Sequence, residues 1–133
     1  MRILIDTDVL LDFALGREPF LADSRRVLIW ARDNPGRAAV AWHSLSNLTY
    51  LAPAGARDFL RDLLAFAAVP TVGSADARRA VELPIADLED ALQAVSALAF
   101  GARWIVTRNP RDYRRSPVKA LTPVAFARRL VKP

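Results

Sequence analysis

The sequence has 133 residues, 53% hydrophobic and 25% charged, a balance that suits one compact domain with its own core over residues 1–133. It contains no cysteine, so a disulfide scaffold and a thiolate zinc site are excluded, and we expect a reducing, cytoplasmic location. No uninterrupted apolar run approaches membrane-spanning length, so we expect no membrane segment.

Charge is distributed unevenly along the chain. The formal net charge is +5, and residues 103–133 hold nine lysine or arginine side chains against one acid, Asp112. The first 102 residues hold ten basic and thirteen acidic side chains and are therefore net negative. A basic segment of this kind attracts polyanions, although a solvated basic tail has the same composition.

The first half of the chain predicts short strands that alternate with helices. An apolar run over residues 2–5 ends at Asp6 and is typical of a buried strand, and residues 8–15 keep helical spacing up to Gly16. We predict a helix over 20–33, a turn, and a strand over 38–42. A helix over 44–51 with Ser44 as its cap and an amphipathic helix over 57–68 follow.

The second half continues the alternation. We predict a strand over 69–72, a short helix over 74–82 and a long helix over 85–100 that ends at Gly101. A strand over 104–107, a basic loop over 108–116, a strand over 118–121 and a last helix over 123–130 complete the chain. Short, continuously apolar strands between helices predict an α/β fold, a short parallel sheet of about four or five strands with helices on both faces.

Five aspartates are predicted to meet at one edge of this sheet, because ligands bind beyond the carboxyl ends of parallel strands. Asp6 and Asp8 follow the first strand, Asp112 follows the fourth, and Asp87 and Asp90 open the long helix. Clustered carboxylates repel one another, and a hard divalent cation such as Mg²⁺ or Mn²⁺ removes that cost. Taken singly, each residue is also compatible with a purely structural role, as a turn residue or a helix cap.

The ordered motifs resemble those of a PIN domain, particularly the VapC-like toxin ribonucleases of toxin–antitoxin pairs. The similar segments are residues 3–12 (ILIDTDVLLD), 88–93 (LEDALQ) with 96–99 (SALA), and 105–109 (IVTRN) with 111–113 (RDY). Each motif alone is weak, but their order and spacing match over nearly the whole chain. The resemblance implies a metal-dependent endoribonuclease with Mg²⁺ or Mn²⁺ as cofactor, RNA as substrate, a cognate antitoxin as partner and a homodimeric assembly.

The resemblance also assigns roles to residues. It implies metal ligation and catalysis by Asp6, Asp90 and Asp112, and a supporting hydroxyl at Thr107. Asp8 and Asp87 are further candidate ligands. The basic loop, with Arg108, Arg111, Arg114 and Arg115, suits an RNA-backbone clamp, since the arginine fork matches phosphate.

One position departs from the family pattern. Where the family usually has a glutamate on the helix after the second strand, this sequence has Asn47, and residues 34–57 contain no carboxylate. An asparagine can still offer its carbonyl oxygen or hold a water, but it removes one negative charge. We expect weaker metal binding, with Asp8 or Asp87 as possible compensation.

The sequence leaves two alternatives open. Asn47 can mark a PIN fold that has lost its chemistry and binds RNA or a protein partner. Asp6-Thr7-Asp8 after a strand also resembles the nucleophile motif of haloacid-dehalogenase-like phosphatases, although Val9-Leu10 does not continue that motif. His43, the one histidine, is predicted to be a surface or capping residue, and Tyr113 is a candidate for base stacking or for packing.

Overall fold

A computed structural model describes residues 1–131 and contains a four-stranded parallel sheet. The strands are Ile3–Ile5 (β1), Ala38–Ala39 (β2), Trp104–Val106 (β3) and Lys119–Leu121 (β4). Their order across the sheet is β2-β1-β3-β4, and every neighbouring pair is parallel. The predicted α/β fold with a short parallel sheet flanked by helices is therefore confirmed.

Seven α-helices and one short 3₁₀ helix surround the sheet in the described chain. The α-helices are Thr7–Ala14 (α1), Leu21–Asp33 (α2), Trp42–Leu51 (α3), Ala56–Leu64 (α4), Ser74–Glu82 (α5), Leu88–Phe100 (α6) and Pro123–Leu130 (α7). The 3₁₀ helix, Pro110–Tyr113, lies within the predicted basic loop. Across residues 1–131, no helix has the length and apolar character needed to cross a membrane.

Several local predictions were wrong. Residues 69–72 form no strand; one isolated bridge joins Ala39 to Ala68, and Pro70 just beyond it has no N–H for a ladder. The second strand ends at Ala39, because the chain turns into α3 at Trp42. Ser44 does not cap that helix: it lies buried inside the helix, and its hydroxyl is 2.8 Å from that of Thr7.

The sheet separates two apolar layers, because alternate strand residues point to opposite faces. Ile3 and Ile5 belong to the larger cluster, formed largely with α1, α2, α4 and α7. Leu4 belongs to the other, where it meets Ala94 and Ala97 of α6. Small residues let α6 pack closely on the sheet, so the first turn of α6 is held near the carboxyl end of β1.

A buried ion pair fastens α1 to the chain after β3. The carboxylate of Asp12 is buried, and the Nε atom of Arg108 lies 2.7 Å from its Oδ2 atom. Arg17 is a more distant partner at 3.8 Å, and the Arg108 guanidinium also lies 4.2 Å from the centre of the Phe20 ring. Burial raises the pKa of Asp12, and the charges of Arg108 and Arg17 oppose that rise.

Arg108→Met should destabilise the protein much more than Arg17→Met. The first substitution leaves the buried Asp12 carboxylate with only a distant partner, and breaking such a pair costs about 3 kcal/mol or more. The second removes an exposed side chain from a long contact, which is worth about 1 kcal/mol or less. Urea unfolding of both variants measures the difference, and equal losses would contradict the structural role assigned to Arg108.

Candidate functional site

The site is built on Asp6, which connects β1 to α1. The backbone N–H of Asp6 still donates to the Val106 carbonyl of β3 at 2.9 Å, so the residue is fixed at the edge of the sheet. Its side chain caps α1, accepting a 2.7 Å hydrogen bond from the Thr7 N–H on Oδ1. Asp6 is buried and exposes only 5% of its surface. An acidic group is therefore held in a poorly solvated position.

Tyr113 joins Asp6 to Asp90. Its hydroxyl donates to Oδ2 of Asp6 at 2.9 Å and lies 3.3 Å from Oδ1 of Asp90. The ring is buried in the layer below α6, so it packs in the core and is not available for stacking on a base. Burial, followed by the charges of Asp6 and Asp90, raises the pKa of Tyr113, so the phenol keeps its proton.

The first turn of α6 holds three carboxylates. Asp87 caps the helix, and its Oδ1 atom accepts from the N–H groups of Glu89 at 2.8 Å and Asp90 at 3.2 Å. Each of the three residues offers a carboxylate oxygen that lies within 4.8 Å of the other two. The capping role weighed for Asp87 is thus observed, and it leaves the carboxylate inside the acidic group.

Asp112 lies in the 3₁₀ helix, is exposed, and lines an open cavity of about 450 Å³. The cavity brings together charged residues of opposite sign from α6 and from the chain after β3. Its charged lining residues are Asp87, Asp90, Arg111, Asp112, Arg114 and Arg115. The Arg108 guanidinium lies elsewhere, beside Asp12 and Phe20, so only three of the four predicted loop arginines line this cavity.

Burial and neighbouring negative charges raise the pKa values of two carboxylates in this site. Burial, then the charge of Asp8, raises the pKa of Asp6 to about 7. Burial, then the charges of Asp87, Glu89 and Asp112, raises the pKa of Asp90 to about 6. A bound cation relieves this kind of stress, and a donor set made only of oxygens suits Mg²⁺ or Mn²⁺. The residues present therefore fit a hard divalent metal.

Asp8 serves the loop after β3. Its Oδ2 atom accepts hydrogen bonds from the Thr107 hydroxyl at 3.2 Å, the Arg108 N–H at 3.2 Å and the Asn109 amide at 3.3 Å. The Thr107 hydroxyl in turn accepts from the Asn109 N–H at 3.1 Å. Asp8 and Thr107 together fix the path of the chain that leads to Asp112. Burial raises the pKa of Asp8 as well.

Glu89 is the acid that sequence reasoning missed. Its Oε1 atom accepts from the Asn47 side-chain amide at 3.3 Å, and Nε2 of His43 also lies 3.3 Å away. The His43 imidazole is the main reason that the pKa of Glu89 is lowered, in contrast to Asp6 and Asp90. His43 is therefore a neighbour of the site and not simply a surface residue. The sequence signal for this role was the four-residue spacing between Glu89 and Gln93, which places both side chains on one face of α6. In the structure Nε2 of Gln93 lies 3.4 Å from Oε1 of Glu89.

The chain matches a known family over most of its length. A family model described as PIN domain matches residues 2–111. No curated protein sequence shows a significant match.

Several solved structures share the fold. VapBC2 of Rickettsia felis, bound to a DNA fragment from its promoter, is 18% identical with a TM-score of 0.67, covering 92% of this chain and 98% of that one. A toxin–antitoxin complex from Klebsiella pneumoniae is 22% identical with a TM-score of 0.69, covering 91% and 97%. FitAcB of Neisseria gonorrhoeae is 13% identical with a TM-score of 0.65, covering 92% and 98%. At these identities the likeness concerns the fold.

Asp6→Asn should stabilise the metal-free protein at pH 8. The folded-state pKa of Asp6 lies above its ordinary value, so ionisation costs folding free energy as pH rises from about 4 to about 7. The asparagine variant escapes that loss, so its melting temperature in EDTA should exceed that of the wild type at pH 8, with a smaller gap at pH 5.

Asp62→Asn, an exposed position on α4, is the matched control and should change the melting temperature little at either pH. A gap that is absent at pH 8, or that widens on acidification, would contradict the raised pKa of Asp6.

Proposed function

This chain belongs to the PIN-domain family, and we propose that it is a metal-dependent endoribonuclease, the toxin of a toxin–antitoxin pair. The observation that carries the proposal is the meeting of acids from three segments. Asp6 follows β1, Asp90 lies on α6, and both contact the Tyr113 hydroxyl; Asp112 shares a cavity with Asp90. Chain segments far apart in sequence thus place costly like charges together, which favours a metal centre over three unrelated turn residues.

We assign the metal to Asp6, Asp90 and Asp112. Bound Mg²⁺ or Mn²⁺ supplies Lewis-acid chemistry, which makes a nucleophile from water at neutral pH and stabilises negative charge on a leaving oxygen. Asp87 can add an oxygen, since only its Oδ1 atom is engaged by the helix N–H groups. Asp8 is better suited to support, because the loop after β3 occupies its carboxylate.

The surrounding residues provide orientation. The protonated Tyr113 hydroxyl holds the Asp6 carboxylate from one side, and the Thr7 N–H holds it from the other. Two fixed donors leave the carboxylate little rotational freedom, and such preorganisation strengthens metal binding and catalysis. The aspartates themselves serve as metal ligands, and we assign no proton-transfer role to a histidine.

RNA binding is assigned to the arginines at the cavity. Arg111, Arg114 and Arg115 are exposed and line the same cavity as Asp90 and Asp112. A cationic rim around an acidic centre draws the phosphate backbone toward it. Arg108 is not part of this cationic rim, because its guanidinium contacts the buried carboxylate of Asp12 and the Phe20 ring.

The proposed partners follow from the same family assignment. The Klebsiella pneumoniae neighbour is a toxin–antitoxin complex. We propose that this chain likewise has a cognate antitoxin, which holds the nuclease inactive. A homodimer is proposed on the family resemblance. The family match favours this hypothesis over the haloacid-dehalogenase-like phosphatase, which belongs to a different family. The remaining alternative is a PIN-fold module that binds RNA without cutting it.

The proposal is tested by Asp112→Asn in an RNA cleavage assay. Asp112 is exposed, so its substitution should leave the fold intact while it removes a ligand charge. Incubation of purified, antitoxin-free protein with a mixed RNA pool should give cleavage in Mg²⁺ or Mn²⁺ and none in EDTA. The cleavage rate of the Asp112→Asn variant should be lower than that of the wild type by at least about 100-fold.

The exposed Asp62→Asn on α4 should cleave like the wild type, and circular dichroism should show all three proteins folded. Full activity of Asp112→Asn would remove Asp112 from the site. RNA binding that is insensitive to EDTA, with no cleavage under any metal, would favour the binding module.

The combined variant Arg111→Ala, Arg114→Ala should weaken RNA binding and reduce its salt dependence. Each lost phosphate contact on a single strand lowers the slope of log K against log salt by about 0.7, so the slope should fall by about 1.4. Fluorescence anisotropy with a labelled RNA in Ca²⁺ measures the RNA affinity and its salt dependence. Arg57→Ala, on the exposed face of α4, should leave them unchanged, and an unaltered slope in the double variant would refute the clamp.

A further inference from the structure

Glu89 lies in the acidic site although no prediction assigned it a role. It is next to Asp90 on α6, and carboxylate oxygens of Asp87, Glu89 and Asp90 lie within 4.8 Å of one another. Thr7 links Glu89 to the other side of the site: its N–H donates to Asp6, and its hydroxyl lies 3.5 Å from Oε1 of Glu89. The Glu89 carboxylate therefore borders the same centre as Asp6 and Asp90.

The surroundings of Glu89 orient one of its two oxygens. Polar side chains from three helices surround Oε1. The Thr7 hydroxyl of α1 lies 3.5 Å from it, the Asn47 amide nitrogen of α3 lies 3.3 Å from it, and the Gln93 amide nitrogen of α6 lies 3.4 Å from it. Nε2 of His43 lies 3.3 Å from the same atom. Within residues 1–131 these side-chain contacts all fall on Oε1, and Oε2 takes part in none of them. A carboxylate anchored through one oxygen presents the other in a fixed direction.

Gln93 is itself fixed, which makes the anchor rigid. It is fully buried, and its Nε2 atom donates to the hydroxyls of Thr7 at 3.0 Å and Ser44 at 2.8 Å. This network ties the start of α6 to α1 and α3. Because its members are buried or half-buried and packed, the position of Glu89 is set by the fold and not by a chance surface rotamer.

Asn47 makes chemical sense as a partner of Glu89. A side-chain amide at position 47 donates to the Glu89 carboxylate, whereas a glutamate there would place two like charges in contact. The asparagine at this position therefore need not reduce the charge of the site. It accompanies a carboxylate that reaches the same place from α6.

We propose that Glu89 is a ligand of the divalent metal in this chain, with Asn47 as the residue that positions it. The inference rests on the proposed metal centre and deepens it. A carboxylate delivered from α6 takes the role that a glutamate on α3 would otherwise have. The competing explanation is a purely structural one, in which Glu89 only braces α6 against α1 and α3.

Calorimetric titration with Mn²⁺, in the absence of RNA, separates the two explanations. Glu89→Gln keeps the size of the side chain and removes its charge, so Mn²⁺ affinity should fall by at least about 10-fold. Glu89→Asp, which keeps the charge on a shorter arm, should bind better than Glu89→Gln. Glu82→Gln, an exposed acid at the end of α5, is the matched control and should bind like the wild type.

The melting temperature in EDTA, measured on the same proteins, shows that the variants are folded. Wild-type protein that binds no Mn²⁺ would overturn the proposed metal centre and this inference with it. Wild-type binding that Glu89→Gln matches would overturn the inference alone and leave the metal centre standing.

An exchange variant tests the pairing of positions 47 and 89. Asn47→Glu combined with Glu89→Gln moves the carboxylate to α3 and the amide to α6. The pair should recover most of the Mn²⁺ affinity lost in Glu89→Gln, whereas Asn47→Glu alone should lower the metal-free melting temperature by charge repulsion. A combined variant that binds Mn²⁺ no better than Glu89→Gln would overturn the role of Asn47 as the positioning residue.

Discussion

The carboxylate of Asp6 is buried at the end of β1, beside other acids and with a tyrosine hydroxyl as a donor. Burial of a charge near like charges is unfavourable. In this chain the Asp6 carboxylate is nevertheless buried where β1, α1, α6 and the 3₁₀ helix meet. Two donors compensate for the burial of Asp6: the Thr7 N–H at the start of α1 and the Tyr113 hydroxyl. The same hydroxyl also contacts Asp90. The geometry of the site follows from this arrangement.

A second constraint separates the arginines of the basic segment by function. Arg108 neutralises the buried Asp12 and holds α1 against the chain after β3, whereas Arg111, Arg114 and Arg115 line the open cavity. Four arginines within eight residues thus do two different kinds of work. Moving Arg108 away would leave the buried Asp12 carboxylate without its near partner, which is unfavourable, so this arginine is not free for a ligand.

Much of the architecture was predictable because its causes are local. The apolar run before Asp6 predicted β1, the spacing of apolar residues predicted α6, and Gly101 predicted its end, which the structure places in a left-handed conformation with φ of 74°. The failures arose where contacts between distant segments, or a missing backbone donor, overrode a local pattern. Residues 69–72 have strand-like composition, but Pro70 lacks an N–H and the neighbouring strand has only two residues, so a single bridge forms at Ala68 and none follows it. Ser44 fits the local pattern of a helix cap, but its hydroxyl lies 2.8 Å from the buried hydroxyl of Thr7.

The sequence alone determined the alternation of strands and helices, the family resemblance and the aspartates at the carboxyl edge of the sheet, since periodicity, caps and motif order are short-range properties. Only the tertiary structure decided which polar groups meet. Glu89 contacts Asn47 across 42 residues, Tyr113 reaches Asp6 across 107, and Arg108 turns to Asp12 instead of the cavity. These partners depend on how α1, α3 and α6 pack on the sheet, and packing is set by the whole core and not by any local pattern.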